Sequence, residues 1–496
     1  MPPLTEAFVR SLWINNAWTA SSSSSWIPVV DPATEREIGR VPAASEADVE
    51  VAVEAAARAF PAWRDLSADT RVDLLHACAQ RIREVAPRLA DVLTHETGRQ
   101  HVRNALYVEW SARVFDYYAE LARHENGRVV PSATPSEQLN LVIKVPYGVV
   151  GCLVPWNYPI LLLAWKLAPA LAAGNTVVIK PASQTPLATL ELMAHAFSHL
   201  PPGVVNVVTG RGAQTGDVLV RHPQVPLIAF TGSTEVGQHL MRLAIPGVKR
   251  LHLELGGKDP AIVCGDVELD TLVPGIAWGG YLNAGQVCTS IERVYVEASI
   301  YEPFLEKLAR CAKGLRMGSG FDPQTQVTPM ISAAARAGVH AQVQEAVAAG
   351  ARLLAGGVIP EGPGFFYPPT LLADCTHDMA VMREETFGPV IAVMPFRSFE
   401  EALNLANDSV YGLGAGLYTH DVRRVQRAMR ELNAGSLWIN EPLVDNIGGP
   451  FGGMKQSGNG RELGIEGLEA FREPKHVHWD IYGERKSWWY PPLAEG

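Results

Sequence analysis

The feature that most constrains this chain is the alternation of short apolar, β-rich runs with helical stretches between residues 139 and 254. LVIKVPYGVVGCLVP leads into a helix from about Pro159 to Ala172 and then into NTVVIKP, which together make a βαβ unit. A helix over 187–199, the strand VVNVV, a short helix near 214–221, the strand PLIAF, a helix after Ser233 and the strand LHLEL ending near Glu254 continue the rhythm. Strands spaced in this way call for a mostly parallel sheet covered on both faces by helices, so the fold class is α/β. A second pattern of the same kind begins near 257 with AIVC, a helix over 271–284, RVYV and a helix over 301–312, and it runs to LNAGSLWIN at 432–440. A chain of 496 residues exceeds one typical core, so two or three packed domains are expected.

The first hundred residues read as helical, with ASEADVEVAVEAAARAFPAW starting at a Ser45 cap and LLHACAQRIREVAPRLADVLTHETG repeating the style. SSSSSW at 21–26 reads as an exposed bulge, and IGGPFGGMKQSGNG as loop or tight turns. A formal net charge of -10 gives no electrostatic reason to bind nucleic acid or an anionic membrane. The most apolar region, 148–173, is broken by Asn157, Pro159, Lys166 and Pro169 and does not read as a membrane span. Cys78, Cys152, Cys264, Cys288, Cys311 and Cys375 form no close C-x-x-C pair, which argues against a disulfide framework or metal site and for a reducing compartment. With no secretory signal read in MPPLTEAFVRSLWINNAW, a cytoplasmic protein is expected.

Two residues point to chemistry. Cys288 lies in NAGQVCTS, where small neighbours leave room for a substrate, although cysteine is also a common buried hydrophobe. Glu254 follows the strand LHL at the edge where a parallel sheet binds ligands, and Gly256 and Gly257 let backbone approach closely. A thiolate can add to an aldehyde, the adduct can give up hydride to a nicotinamide, and the thioester left behind needs an activated water. A glutamate whose pKa is raised by burial suits that last step. Standing alone, Glu254 reads first as a strand-end surface acid or half of a structural ion pair, ahead of a catalytic base.

LELGGKDP at 253–260 and YLNAGQVCTS at 281–290, with Glu254 and Cys288 34 positions apart, resemble the glutamate and cysteine signatures of the aldehyde dehydrogenase superfamily. The resemblance extends over nearly the whole chain, to GRELGIEGLEAFREPKHVHWD. It implies two parallel-sheet α/β domains with a β-strand oligomerisation arm. The NAD(P)-binding domain would take 1–124 and 147–256, the catalytic domain 257–456, the arm and bridging region 125–146 and 457–482, and the C-terminal tail 483–496. By that resemblance Cys288 is the nucleophile and Glu254 the general base. Asn157 of PWNYP, with the Cys288 backbone N–H, holds the oxyanion, where fixed donors favour the developing charge over the ground state. Glu462 in GRELG assists the base, with a solvent-exposed helix-start acid as the alternative, and Lys166 orients this region or joins the chemistry.

For the cofactor, the resemblance implies NAD or NADP bound by Pro155, Trp156, Lys180, Ser183, Gly232, Ser233, Gly256, Glu385 and Phe387, with Arg211 and Gly212 as further candidates. Exposed N–H groups at the helix start after Gly232 would meet the pyrophosphate. Many NAD-preferring members carry Glu where Ser183 stands; serine beside Lys180 tolerates a ribose 2'-phosphate, so dual specificity is expected. Lys180 could instead snorkel from a strand end, and Arg211 could be an ordinary loop charge. No metal site is expected.

Substrate-channel positions implied by the resemblance are Tyr158, Leu162, Trp165, Val287, Thr289 and Phe451, an apolar set that favours aliphatic or aromatic aldehydes and supplies no ion for a charged tail. Betaine aldehyde and a semialdehyde are the alternatives: aromatic faces attract quaternary ammonium groups, while succinic semialdehyde ranks lower because members that use it often carry Arg where Trp165 stands. The presence of Glu254 argues for water, not coenzyme A, as acyl acceptor. Unpaired edges of the arm call for a dimer or tetramer, and Trp488, Trp489 and Tyr490 are expected to pack on the same or a neighbouring subunit. Two other readings remain at this stage: thioester chemistry without redox, such as ester hydrolysis, and a structural or binding protein on the same fold.

Overall fold

The computed structural model describes residues 8–124, 127–132 and 138–490. Among them, eight strands form one sheet in the order Gly458–Asn459, Arg250–Glu254, Leu227–Thr231, Val149–Leu153, Thr176–Lys180, Val205–Val207, Leu12–Ile14 and Ala17–Thr19. The five strands from Arg250–Glu254 to Val205–Val207 run parallel and the edges are antiparallel. The chain builds outward from Val149–Leu153 through Thr176–Lys180 to Val205–Val207, then returns to place Leu227–Thr231 on the other side. That reversal opens a crevice at the carboxyl ends of the strands.

A second sheet of seven strands is ordered Arg352–Ala355, Thr370–Ala373, Val390–Phe396, Ile291–Glu297, Asp259–Val263, Gly414–Tyr418 and Ser436–Ile439, and only its first pair is antiparallel. Strand interiors such as Val177, Ile179, Val294 and Val393 are fully buried, as sheets covered on both faces require. The helix Pro159–Ala172 is buried along its whole length, which explains why it looked like the most apolar stretch of the sequence. A third, antiparallel sheet joins Arg472–Asp480, Gln138–Pro146 and Gly127–Val130.

The sequence reading differs from the structure at the start of the chain. Residues 8–42 form five short strands instead of helices, and the first helix is Glu46–Arg64, capped by Ser45 through a reciprocal bond with Asp48. Strands of two to seven residues are too short for periodicity to register. The serines at 21–22 do more than form a bulge: the Ser21 hydroxyl and the Ser22 N–H donate to the Asp48 carboxylate. The helix over 187–199 is α-helical only from Leu187 to Leu192 and continues as a π-helical turn, Met193–Phe197. Trp488 and Tyr490 are 71% and 95% exposed and Trp489 is half-covered, so among the described tail residues these rings gain little cover from their own chain, to which Lys486 is tied by an ion pair with Asp480. No helix among the described residues is long and apolar enough to cross a membrane.

Candidate active site

Cys288 sits on the turn that follows the helix Leu269–Tyr281. Asn283 and Ala284 there hold φ of 53° and 55°, left-handed values that cost a non-glycine residue about 1 kcal/mol each. Buried hydrogen bonds hold the strained turn. Arg99 Nε donates to Asn283 Oδ1 at 3.3 Å, Asn283 Nδ2 donates to the Gln286 carbonyl at 3.2 Å, and Gln286 Nε2 donates to the Asn283 carbonyl at 2.9 Å. Gly285 is obligatory, since a Cβ there would lie 1.9 Å from the Gly388 carbonyl oxygen. Asn157, from the crevice loop after Val149–Leu153, donates its Nδ2 to the same Gln286 carbonyl at 3.2 Å, which aims the amide at the cysteine turn.

Two cavities meet at Cys288. The smaller, about 210 Å³, is lined by all six expected channel residues: Tyr158, Leu162, Trp165, Val287, Thr289 and Phe451. Tyr107, Trp110 and Trp278 enlarge the aromatic wall, and Arg103 and Asp445 add two charges. The expectation of a channel without charged groups is therefore corrected. Helix His101–Leu121 and the loop after Ser436–Ile439 are far from the cysteine in sequence and reach it only through the fold.

The larger cavity, about 600 Å³, occupies the crevice of the first sheet and is lined by Pro155, Trp156, Asn157, Gly232, Ser233, Gly256, Glu385 and Phe387. Ser233 caps the helix Thr234–Ala244 through its hydroxyl, so that helix start faces the opening. A Cβ on Gly256 would meet the Glu385 carboxylate at 2.5 Å, and its absence leaves the floor open. Phe387 adopts a left-handed backbone, its ring standing edge-on to Trp156 at 5.4 Å. Buried Glu292 sets that loop: its carboxylate accepts from the Thr386 and Phe387 N–H groups, both at 2.8 Å, and pairs with Lys258. The helix Ala333–Ala348 supplies the far wall. Sequence reasoning missed Glu292 and this helix.

Lys180, Ser183, Arg211 and Gly212 do not line this cavity. Lys180 ends the neighbouring strand, buried, with Nζ donating to the Pro181 carbonyl at 3.1 Å, and burial pushes its ammonium down to about 8. Ser183 lies half-buried in the loop beyond, while Arg211 and Gly212 are exposed where a π-helical turn starts.

Burial raises the carboxyl pKa of the acids around Cys288. Burial, then the carboxyls of Asp259, Glu254, Asp445 and Glu385, push the thiol well above its usual range, so the resting form is the thiol. Glu254 ends the strand Arg250–Glu254 with neither carboxyl oxygen hydrogen-bonded, and burial first, then Glu462, raises its pKa. Gly452 gives that carboxyl room, because a Cβ would stand 2.6 Å from it. Glu462 is 1% exposed, which removes the reading of a solvent-exposed acid. It forms an ion pair with fully buried Lys166, whose Nζ also donates to the Thr231 hydroxyl. Burial and Glu292 raise the Glu385 carboxyl to about 8, against the Gly257 N–H that donates to it at 2.9 Å.

A thiol between two cavities, an amide aimed at its turn and a buried, unpartnered carboxyl of raised pKa beside it suit addition to a carbonyl followed by hydrolysis. Residues 18–477 match the model of the Aldehyde dehydrogenase family. The chain is 39% identical over 488 residues to betaine aldehyde dehydrogenase of Bacillus subtilis strain 168, covering 97% of this chain and 99% of that protein. It is likewise 39% identical over 482 residues to human (Homo sapiens) retinal dehydrogenase 2, covering 96% and 92%. A crystal structure of betaine aldehyde dehydrogenase from Staphylococcus aureus in complex with NAD+ superposes with a TM-score of 0.94 at 36% identity over 97% of each chain. With fold, site geometry and near full-length likeness in agreement, the chain belongs to the aldehyde dehydrogenase family.

Proposed function

We propose that this aldehyde dehydrogenase uses NAD(P)+ to oxidise an aliphatic or aromatic aldehyde to its carboxylate through a thioester on Cys288. The observation that carries this reading is the position of Cys288 at the meeting of the two cavities. The aldehyde enters from the aromatic side, the thiol proton passes to solvent water, and the Cys288 sulfur forms a bond to the carbonyl carbon as the C=O π pair moves to oxygen. Asn157 Nδ2 and the Cys288 N–H receive the developing negative charge on oxygen. A dinucleotide in the larger cavity supplies the hydride acceptor. Glu254, once deprotonated, takes a proton from the water that attacks the thioester carbonyl; the C–S bond breaks, that proton returns to the sulfur to restore the thiol, and the acid leaves as carboxylate with its own proton lost to solvent. The Lys166–Glu462 pair orients this base and offers its proton a buried partner.

The larger cavity fits a dinucleotide: the helix start at Ser233 suits a pyrophosphate, Glu385 suits ribose hydroxyls, and the Trp156–Phe387 pair suits a flat ring. Lys180 and Ser183 lie beyond it, where the adenosine end would reach, and the absence of a carboxylate at Ser183 supports use of both NAD and NADP. Arg211 and Gly212 stay candidates for a 2'-phosphate contact.

The domain division follows the same reading: 1–124 with 147–256 for the dinucleotide, 257–456 for catalysis, 125–146 with 457–482 as arm and bridge, and 483–496 as tail. Two open edges on the arm sheet, with Val129 at 67% exposure and Trp479 at 54%, support a dimer or tetramer, and the exposed tail aromatics support packing on a neighbouring subunit. Initial rates of NADH and NADPH formation across short, long, aromatic and trimethylammonium aldehydes, beside a Cys288→Ala control, test the reading. Aldehyde-dependent rates that vanish in the control are expected; no reduced cofactor with any pair would contradict it.

A further inference from the structure

The aromatic cavity contains an acid that aldehyde oxidation does not use. Asp445 sits on the loop after Ser436–Ile439, half-buried, in the same lining as Cys288. The loop is held in place: Trp438 Nε1 donates to the Val444 carbonyl at 2.8 Å, and Leu443 takes a left-handed φ of 53°. Its carboxyl lies near enough to Cys288 to raise the thiol pKa. Burial alone pushes the Asp445 carboxyl up to about 7, with no cation offsetting it. Arg103, the other charge in the lining, forms no ion pair with it.

An acid held against aromatic walls without a counter-ion is a standing electrostatic cost, removed when a cation joins it. The walls suit the same ion. Trp110, Trp165 and Trp278 all face the cavity, and indole is the ring that attracts cations most strongly. Arg99 already covers one face of Tyr158, its guanidinium carbon 4.0 Å from the ring centroid, so the tryptophans are the better partners.

We propose that the aromatic cavity selects aldehydes with a positively charged ammonium tail, and that Asp445 is the residue that recognises the charge; the proposal rests on the reading of Cys288 as nucleophile. The aldehyde carbon reaches the sulfur while the ammonium group lies between Asp445 and the tryptophans. An ω-carboxylate tail meets Asp445 with like charge and is disfavoured, despite Arg103 in the same lining.

The test compares kcat/KM for trimethylammoniobutanal, its uncharged tert-butyl isostere and an ω-carboxy aldehyde of similar length, in the wild-type enzyme, Asp445→Asn and Asp445→Glu. The wild type is expected to favour the cation over the isostere by about tenfold or more. Asp445→Asn should cut that ratio by a similar factor, mainly through KM, and Asp445→Glu should restore part of it. Equal use of cation and isostere, preference for the carboxylate tail, or an unchanged ratio in Asp445→Asn overturns the charge assignment while aldehyde oxidation stands. Failure to oxidise any of the three aldehydes overturns both.

Discussion

The two cavities that meet at Cys288 are built in different ways. The larger is made of turns at strand ends, where Gly232, Ser233, Gly256 and the Glu385–Phe387 loop present backbone, a helix start and acids. The smaller is made of side chains from helices, where rings at 107, 110, 158, 165 and 278 surround a short volume. Backbone groups recognise features shared by every dinucleotide of one class, whereas a wall of side chains can be changed one residue at a time. The first cavity is thus suited to a constant ligand and the second to a selected one, with Cys288 the atom they share.

The comparison can be broken most severely at that shared atom. Cys288→Ala should lower aldehyde-dependent NAD(P)H formation by about 10⁴-fold or more, measured as initial rate at saturating cofactor. Residual activity within tenfold of wild type would show that the junction is not the reacting centre. Glu254→Gln should cost roughly 10³-fold in steady-state turnover yet keep a burst of about one reduced cofactor per site, because only release of the acyl group needs the base. Loss of the burst along with turnover would place Glu254 before the thioester. Asn157→Ala should cost about 10²-fold in kcat with KM for cofactor little changed.

The pH profile tests the junction without mutation. Burial raises the pKa of both Cys288 and Glu254, so their reactive, deprotonated forms fill at higher pH than for the free side chains. The rate should climb from neutral into alkaline solution, about tenfold per pH unit where one proton is lost. A profile that falls over this range would contradict the assignment. The smallest effect belongs to the loop beyond the larger cavity: Ser183→Glu should lower NADPH formation relative to NADH about tenfold if the 2'-phosphate reaches that loop. An unchanged ratio would remove Ser183 from the cofactor contacts.

How far the sequence revealed the molecule follows the same division. Turn residues cluster in the chain, so LELGGKDP, PWNYP and NAGQVCTS could be read as units, and the fold brings Asn157 and Cys288 into one cavity lining with Glu254 close enough to act on the thiol. The parallel rhythm was legible because each strand and helix is a contiguous apolar pattern. Groups that act across the fold were not. Glu292 lies inside a strand that looks merely buried, and its role depends on Thr386 and Phe387, nearly a hundred positions away. Arg99 bonds Asn283 across 184 positions. Asp445 is one acid in an unremarkable loop until that loop closes the aromatic cavity.

The most direct test of Cys288 as the shared reacting atom is mass spectrometry of the Glu254→Gln enzyme, mixed with aldehyde and NAD+ and digested under acid. The account predicts one acyl group per chain, carried by the peptide that contains Cys288. Reduced cofactor formed in stoichiometric amount with no acyl group on that peptide, or with the group on another cysteine, would contradict it.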